Sequence, residues 1–210
     1  MTTTTNTDIE LWEHFRQGDE SAFALIYQSY VQILFNYGSK LSSDVHFVMD
    51  CIHDLFVDLS NSRNTIGDTA NIRFYLIKSL KNKMLRQLKI KQKTIHSDDY
   101  FSADAAWDTG YEEDESLKEQ KKLLRNALNQ LPARQKECVY LRYIIELSNE
   151  EISVVMNINY QAVRNTLSKA LGNLRKELGK TTKEVIAFLA LFTPNGKKEH
   201  NLSPSNHNYL

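Results

Sequence analysis

Residues 148–171, SNEEISVVMNINYQAVRNTLSKAL, carry the clearest structural pattern in the C-terminal part of this sequence. It opens with Ser148, and Glu151 follows three residues later, which is the pattern of a capping box at a helix start. Asn157 falls in a three-residue turn, where it can take the left-handed conformation. Apolar residues recur at helical spacing on both sides of that turn. The stretch therefore predicts a short capped helix, a tight turn and a longer helix.

Two helices joined by so short a turn are typical of a helix-turn-helix. Ile152 and Met156 should pack against Val163 and Leu167, with Ile158 filling the turn. The opposite face of the second helix is polar and suits hydrogen bonds to base edges or phosphates in a major groove. The candidate DNA contacts there are Tyr160, Gln161, Arg164, Asn165, Ser168, Lys169 and Arg175. The alternative is an ordinary helical hairpin with a solvated polar face.

The rest of the chain also has helical patterns, since three prolines and seven glycines leave long periodic stretches unbroken. Helices are predicted from an N-cap at Asp8, after Asp19, after Asp44, and over 72–93, 117–130, 134–146 and 183–192. Residues 94–116 have no sustained period and are rich in Asp, Ser, Ala and Gly, which predicts a flexible acidic linker. We expect an all-α protein with two small helical domains, 8–93 and 117–179. A C-terminal extension, 180–210, follows, and its residues from 193 onward are expected to be disordered.

Charge is strongly segregated although the formal net charge is zero. Residues 1–72 carry ten acidic and three basic side chains, whereas residues 73–93 carry eight basic and no acidic ones. Residues 94–120 are acidic again, and residues 121–179 hold ten basic and five acidic side chains. Two basic blocks separated by an acidic one indicate phosphate-bearing partners.

Several classes of function find no support in the sequence. Cys51 and Cys138 each lie in an apolar periodic run and are predicted to be buried free thiols, and no cysteine–histidine cluster has metal-ligand spacing. The longest apolar run, 185–192, is too short to span a bilayer, and the N-terminus lacks the apolar core of a signal peptide. No nucleophile and base are paired as catalysis requires. We therefore expect a cytoplasmic protein that is not an enzyme and needs no metal or cofactor.

Short motifs give the sequence a resemblance to a known family. Gly18-Asp19-Glu20-Ser21-Ala22-Phe23 precedes Ile26-Tyr27 and Tyr30, and Asp50-Cys51-Ile52-His53-Asp54-Leu55-Phe56-Val57 follows. The C-terminal part has Leu128, Leu131-Pro132, Arg134-Gln135, Leu141-Arg142-Tyr143, Glu150-Glu151-Ile152-Ser153, Val163-Arg164-Asn165, Ala170 and Leu174-Arg175. In this order the motifs resemble those of bacterial sigma factors of the extracytoplasmic-function group, over residues 8–179. Met49 and His53 depart from that pattern, which has an acid and a glutamine at these positions.

The resemblance implies that the N-terminal domain binds core RNA polymerase and captures unpaired bases of the minus-ten element. The C-terminal domain would read the minus-thirty-five element as duplex. The residues expected to meet the polymerase clamp are Asp50, His53, Asp54, Phe56 and Asp58. Those expected to meet minus-ten DNA, with a base pocket in the loop 61–71, are Asn61, Arg63, Asn64, Asn71, Arg73, Lys78, Lys81, Asn82, Lys83 and Arg86.

The implied partners are core RNA polymerase, through its clamp and flap, and promoter DNA, with association to the nucleoid when polymerase is bound. No small-molecule substrate is expected, and the resemblance leaves open an anti-sigma factor, membrane-bound or not, as a further partner. Two other interpretations fit the patterns less well. One is a conventional helix-turn-helix regulator that binds an operator as a dimer. The other is a polymerase-interaction module that does not bind DNA.

Overall fold

The computed structural model describes residues 4–91, 101 and 115–190, and all regular secondary structure in these ranges is helical. The helices of the N-terminal half are α1 (Thr4–Arg16), α2 (Glu20–Leu41), α3 (Val45–Asn61) and α4 (Ile72–Lys91). Those of the C-terminal half are α5 (Glu115–Asn129), α6 (Ala133–Tyr143), α7 (Asn149–Met156), α8 (Tyr160–Leu178) and α9 (Thr182–Ala190). The prediction of an all-α fold with a helix-turn-helix is confirmed.

Local capping chemistry sets most helix starts. The Asp19 carboxylate accepts hydrogen bonds from the Ser21 and Ala22 amides at 2.8 and 3.3 Å, and Asp44 accepts one from Phe47 at 3.0 Å. These contacts satisfy amides that have no partner within the helix, as predicted for both residues.

Two predicted boundaries were wrong. Asp8 is not an N-cap, because α1 already begins at Thr4, and its carboxylate accepts a hydrogen bond from the Tyr30 hydroxyl at 3.2 Å instead. The helix predicted over 134–146 ends at Tyr143, and Glu146 has a positive φ of 64°. A tertiary contact and a left-handed turn decide these positions, and neither leaves a periodic signal.

The N-terminal half is built around aromatic side chains and one close helix approach. Trp12 packs against Phe15 and Tyr75, with ring centroids 5.4 and 5.1 Å apart. The Trp12 indole N–H also donates to the Gly67 carbonyl at 3.1 Å, which ties α1 to the loop between α3 and α4. Gly38 lies where α2 meets α3 and α4, because a Cβ there would be 2.8 Å from a Val48 methyl group.

The C-terminal half is organised around α8, against which α5, α6, α7 and α9 all pack. Val185 and Leu189 on α9 are fully buried, so this helix closes the apolar core of the C-terminal half. Thr181 and Glu184 exchange hydrogen bonds at the start of α9, at 2.7 and 3.4 Å. The predicted extra helix therefore exists and has a structural role in this core.

The two halves pack against each other through α4 and α7, and the buried apolar residues of both halves form one connected cluster. Phe101, which comes from the segment that joins the halves, is also buried. The rest of the segment predicted as a linker, up to residue 114, and the tail from residue 191 lie outside the described residues. No helix in the described ranges is long and apolar enough to cross a membrane.

Replacing Gly38 with alanine tests the close approach of α2. The added methyl group would overlap the Val48 side chain, so we expect Gly38→Ala to lower the unfolding free energy by about 1–3 kcal/mol. Gly172→Ala is the matched control, because Gly172 lies inside α8 with open space around it, and alanine there should be neutral or stabilise by about 0.5–1 kcal/mol. Urea denaturation of both variants gives the comparison, and equal effects would contradict the packing described here.

Candidate nucleic-acid interface

The helix-turn-helix has the geometry that residues 148–171 predicted. The Ser148 hydroxyl accepts from the Glu151 amide at 3.2 Å, while the Glu151 carboxylate accepts from the Ser148 amide at 2.8 Å, which completes the capping box. Asn157 ends α7 with φ 51° and ψ 49°. The Asn159 side chain then caps α8 by accepting from the Ala162 amide at 2.7 Å. The turn between the two helices is thus held at both ends by hydrogen bonds.

Apolar packing fixes the angle between the two helices of this motif. Ile152, Met156, Val163 and Leu167 are all buried, and Ile158 is half-buried in the turn. These are the residues that the sequence pattern placed inward. Their burial holds α8 with its polar face turned away from the body of the protein.

The polar face of α8 is open to solvent along its whole length. Gln161 donates from its side-chain amide to the Asn165 side-chain oxygen at 3.0 Å, so two neighbouring amides are already ordered. Each predicted contact on this helix is exposed: Tyr160, Gln161, Arg164, Asn165, Ser168, Lys169 and Arg175. Such a face can enter a major groove without any rearrangement of the C-terminal half.

The basic helix α4 has an outer face and a flank that meets the C-terminal half. Lys78, Asn82 and Arg86 recur every four residues on the outer face and are exposed. The Lys78 ammonium lies 5.8 Å from the centroid of the Phe74 ring, which holds it near the helix surface. The spacing and exposure of these side chains suit contacts with successive phosphates.

A groove of about 340 Å³ lies beside this outer face, between the end of α3 and the middle of α4. Lys83 contributes to it and is paired with Asp58, with Nζ to Oδ2 at 2.7 Å. Its other polar lining comes from Ser62, Tyr75, Ser79, Asn82 and Arg86. Hydroxyl, amide and guanidinium groups around one half-open groove provide hydrogen-bonding partners for a polar ring edge.

The loop between α3 and α4 is exposed but held at its centre. Asn61, Arg63 and Asn64 are exposed where α3 ends. Further along, Gly67 accepts from the Trp12 indole and Asp68 is paired with Arg16. The predicted base-binding loop is thus anchored to α1.

Comparison with known proteins identifies the C-terminal half. A family model described as sigma-70, region 4, matches residues 121–174, which extend from α5 into α8. This part of the chain is therefore similar to region 4 of sigma-70 factors. Among curated proteins, none matches the sequence.

Two solved structures share the fold of this chain. The sigma factor RpoE from Bartonella quintana, in complex with the anti-sigma factor NepR, is 18% identical with a TM-score of 0.53, covering 75% of this chain and 96% of RpoE. CnrH in complex with the cytosolic domain of CnrY is also 18% identical with a TM-score of 0.53, covering 82% of this chain and 97% of CnrH. The chain therefore shares the fold of RpoE and CnrH.

The residues that the sigma-70 resemblance placed on the polymerase clamp do not form one free surface. Asp50 and His53 are exposed on α3. Asp54 and Asp58 lie on the side of α3 that faces α4, 4.0 and 2.7 Å from the Lys83 ammonium. Phe56 is buried, with its ring 4.8 Å from that of Tyr27, so it supports the surface from below.

Three of the predicted minus-ten contacts face the region 4 half instead of solvent. The Lys81 ammonium is 2.6 Å from a Glu137 carboxylate oxygen, and both side chains are about nine-tenths buried. Arg73 donates to the Ile145 carbonyl at 2.9 Å and is paired with Glu146 at 3.1 Å, and the Asn71 amide donates to Glu151 at 2.7 Å. In this structure these side chains are already bound by the chain itself.

A polar and aromatic cluster between the halves escaped the sequence analysis. Tyr37 donates from its hydroxyl to Glu137 at 2.8 Å, beside Lys81. The rings of Tyr37, Phe101 and Tyr140 lie 5.7–6.2 Å apart. The signal that pointed to this cluster was Glu137, a charged residue at a buried position of α6. A buried charge needs a partner, so another polar group had to lie beside it.

Lys40 belongs to the same cluster and has a strongly shifted pKa. Its ammonium lies 5.1 Å from the centroid of the Tyr140 ring. Burial, helped by the nearby Arg125, lowers the pKa of Lys40 from 10.5 to about 8. Burial also raises the pKa of the Cys138 thiol to about 12 and that of Tyr140 above its ordinary value. Both cysteines are buried thiols, as predicted.

The Lys40 shift predicts how stability depends on pH. Between about pH 8 and 10.5 the unfolded chain binds more protons at Lys40 than the folded chain, so the unfolding free energy rises with pH in this window. Cys138 and the buried tyrosines act in the opposite direction above about pH 9, since the unfolded chain loses their protons first. Lys40→Met removes only the contribution of Lys40 to this pH dependence, because methionine has a similar volume and no charge.

We expect the stability of wild type, relative to Lys40→Met, to increase by about 1–2 kcal/mol from pH 7 to pH 9.5. Urea denaturation of both proteins across this range measures the difference. Parallel pH profiles would show that Lys40 keeps an ordinary pKa and would contradict its burial between the halves.

Proposed function

We propose that this protein is a sigma factor of the extracytoplasmic-function group, which binds core RNA polymerase and directs initiation at specific promoters. It acts by binding, in the cytoplasm, and associates with the nucleoid when polymerase is bound. The observation that carries the proposal is a region 4 helix-turn-helix with an open recognition face, joined to a second helical half with its own basic helix. In this proposal the N-terminal half is the domain expected over 8–93, and the C-terminal half is the domain expected over 117–179 together with α9.

The C-terminal half would read the minus-thirty-five element as duplex. An α-helix fits the major groove, and the face of α8 offers donors and acceptors of several kinds. Arg164 is suited to a guanine and the ordered amides Gln161 and Asn165 to an adenine, because each can form a bidentate pair with that base. Arg175, nearer the end of α8, would meet a flanking phosphate.

The N-terminal half would hold the minus-ten strand once it is unpaired. The outer face of α4 supplies cations for the backbone, and the groove beside it supplies polar groups that can receive a splayed base. The anchored loop with Asn61, Arg63 and Asn64 borders this face at the end of α3. Tyr75 lines the groove while its ring packs on Trp12, so it offers a fixed wall to a stacked base.

The outer face of α3 would bind the polymerase clamp, while region 4 would meet the flap. Asp50 and His53 are exposed there, and Asp54 and Asp58 add negative charge at its edge. An acidic face of this kind favours a basic partner surface. Met49 and His53 depart from the family pattern. We therefore expect partner specificity to be determined on this surface.

An anti-sigma factor is a further proposed partner. The solved structure of RpoE is a complex with the anti-sigma factor NepR, and CnrH is seen with the cytosolic domain of CnrY. Shared fold supports a similar mode of control here. The proposal includes a membrane-bound factor as well as a soluble one.

Arg164→Ala tests promoter reading. Loss of one bidentate contact should cost about 1–3 kcal/mol, so transcription from the preferred promoter should fall roughly 5- to 100-fold while polymerase binding is retained. Lys183→Ala, which removes one exposed charge from α9 in the same half, is the control and should leave transcription unchanged. In vitro transcription with core polymerase gives both rates. Equal rates for wild type and Arg164→Ala would remove this residue from the readout.

Asp50→Lys tests polymerase docking. Reversing an exposed charge at the centre of the proposed interface should weaken binding to core polymerase about tenfold or more, because like charges then meet across the contact. Glu13→Lys makes the same change on the exposed face of α1 and should bind normally. Surface plasmon resonance against immobilised core polymerase compares the two. Unchanged affinity of Asp50→Lys would show that the outer face of α3 is not the docking surface.

A further inference from the structure

The loop between α3 and α4 is held in two different ways. Its ends are held by hydrogen bonds within the loop itself, over 62–66 and 69–71. Between these ends, Gly67 and Asp68 bond to side chains of α1, which are 55 and 52 positions away in sequence. The middle of the loop therefore takes its position from the first helix of the protein.

Trp12 connects the middle of this loop to the wall of the groove beside α4. Its indole N–H donates to the Gly67 carbonyl at 3.1 Å, and its ring centroid lies 5.1 Å from that of Tyr75. Tyr75 lines the groove, and so does Ser62 at the start of the loop. Trp12 is 1% exposed, so it supports both parts from inside the protein. One side chain thus sets the position of the loop relative to the groove wall.

Two further contacts extend this support to either side of Gly67. The Arg16 guanidinium, one helical turn after Trp12, is paired with Asp68. Gly18, in the turn that follows α1, lies against the Arg63 guanidinium, because a Cβ at Gly18 would be 3.8 Å from the Arg63 Cζ atom. The end of α1 and its following turn therefore contact the loop at residues 63, 67 and 68.

The helix α1 is itself fixed to the body of the N-terminal half. The Tyr30 hydroxyl of α2 donates to Asp8 at 3.2 Å, and the ring of Phe15 stacks on that of Phe23 with centroids 5.7 Å apart. A loop attached to such a support is already ordered before a ligand binds. A fixed loop also discriminates between bases, because its donors and acceptors do not move to suit a base of another shape.

We propose that α1 positions the minus-ten base site, and that Trp12 and Arg16 are positioning residues that determine how strictly the site selects its base. This inference rests on the proposed function, since it takes the loop 61–71 and the groove beside α4 as the place where an unpaired base binds. Trp12 acts through Gly67 and Tyr75, and Arg16 acts through Asp68. Their loss should reduce selection between bases more than total strand binding, which depends on the cations of α4.

Three variants separate the contacts of α1 with the loop from its packing in the core. Trp12→Phe keeps an aromatic ring but removes the N–H that donates to Gly67. Arg16→Asp replaces the pair with Asp68 by two like charges, and adding Asp68→Arg restores the pair with its charges exchanged. Because Asp68 is largely exposed, this ion pair contributes little to stability, and its loss should leave the protein folded.

Two controls are matched to these variants. Glu13→Gln removes an exposed charge from α1. Leu189→Ala removes buried apolar volume from α9, which packs against α5, α6 and α8, and so lowers stability without changing α1. Circular dichroism melting ranks the stabilities of all the variants.

Each full-length protein is assembled with bacterial core RNA polymerase and mixed with fluorescent single strands of 16 nucleotides whose central half is random in sequence. The fluorescence retained with the complex measures total strand binding, and sequencing of the retained strands measures the enrichment of the preferred base. Hydrogen–deuterium exchange over residues 61–71 of the free proteins measures the order of the loop without any DNA.

We expect Trp12→Phe and Arg16→Asp to lower the enrichment of the preferred base about three- to tenfold, as loss of one hydrogen bond that holds the loop would do, with total strand binding within about twofold of wild type. Exchange over 61–71 should be faster in the same two variants. The charge-exchanged double variant should recover its enrichment to within about twofold of wild type. Glu13→Gln should match wild type, and Leu189→Ala should melt earlier with unchanged enrichment.

Wild-type enrichment in both Trp12→Phe and Arg16→Asp would overturn the positioning role of α1. An equal loss of enrichment in Leu189→Ala would also overturn it, because selection would then follow stability alone. Failure of the charge-exchanged variant to recover would remove Arg16 from the role. The proposed function fails in a different way: if wild type forms no complex with polymerase, or its complex retains strands without base preference, the minus-ten site is wrong and this inference falls with it.

Discussion

The arrangement of this molecule depends on the two hydrogen bonds that the Glu151 carboxylate accepts. One oxygen accepts from the Ser148 amide and fixes the start of α7, and the other accepts from the Asn71 side chain at the start of α4. A single side chain thus sets the first helix of the DNA-binding motif and joins it to the other half of the protein. The path from α7 through the left-handed Asn157 to α8 then determines where the recognition face points.

Local chemistry made much of the fold predictable. The caps Asp19, Asp44 and Ser148 were found from sequence because each bonds amides within three residues of itself. The inward residues of the helix-turn-helix followed from helical spacing, since burial there depends only on the neighbouring helix. The exposed face of α8 consists of the residues that this spacing leaves outside the core. The exposure of the predicted contacts on this helix was therefore predictable, and their binding to DNA stays a prediction.

The surfaces of the N-terminal half were less predictable, because a cation on a polar helix face gives the same pattern whatever it meets. Lys81 and Arg73 meet carboxylates 56 and 73 positions away in sequence, while Lys78 stays exposed on the same helix. Phe101 lies in a segment with no period, so nothing local marked it as buried. A long-range contact also explains Asp8, which was predicted to cap α1 and instead accepts a hydrogen bond from Tyr30.

Whether the protein acts as a sigma factor is tested most directly by mixing the purified chain with bacterial core RNA polymerase, isolating the complex and transcribing a library of random promoters. We predict a stable complex that initiates from a subset of the library sharing two spaced elements. Failure to bind core polymerase, together with tight binding of a palindromic duplex, would contradict this function and identify a conventional helix-turn-helix regulator.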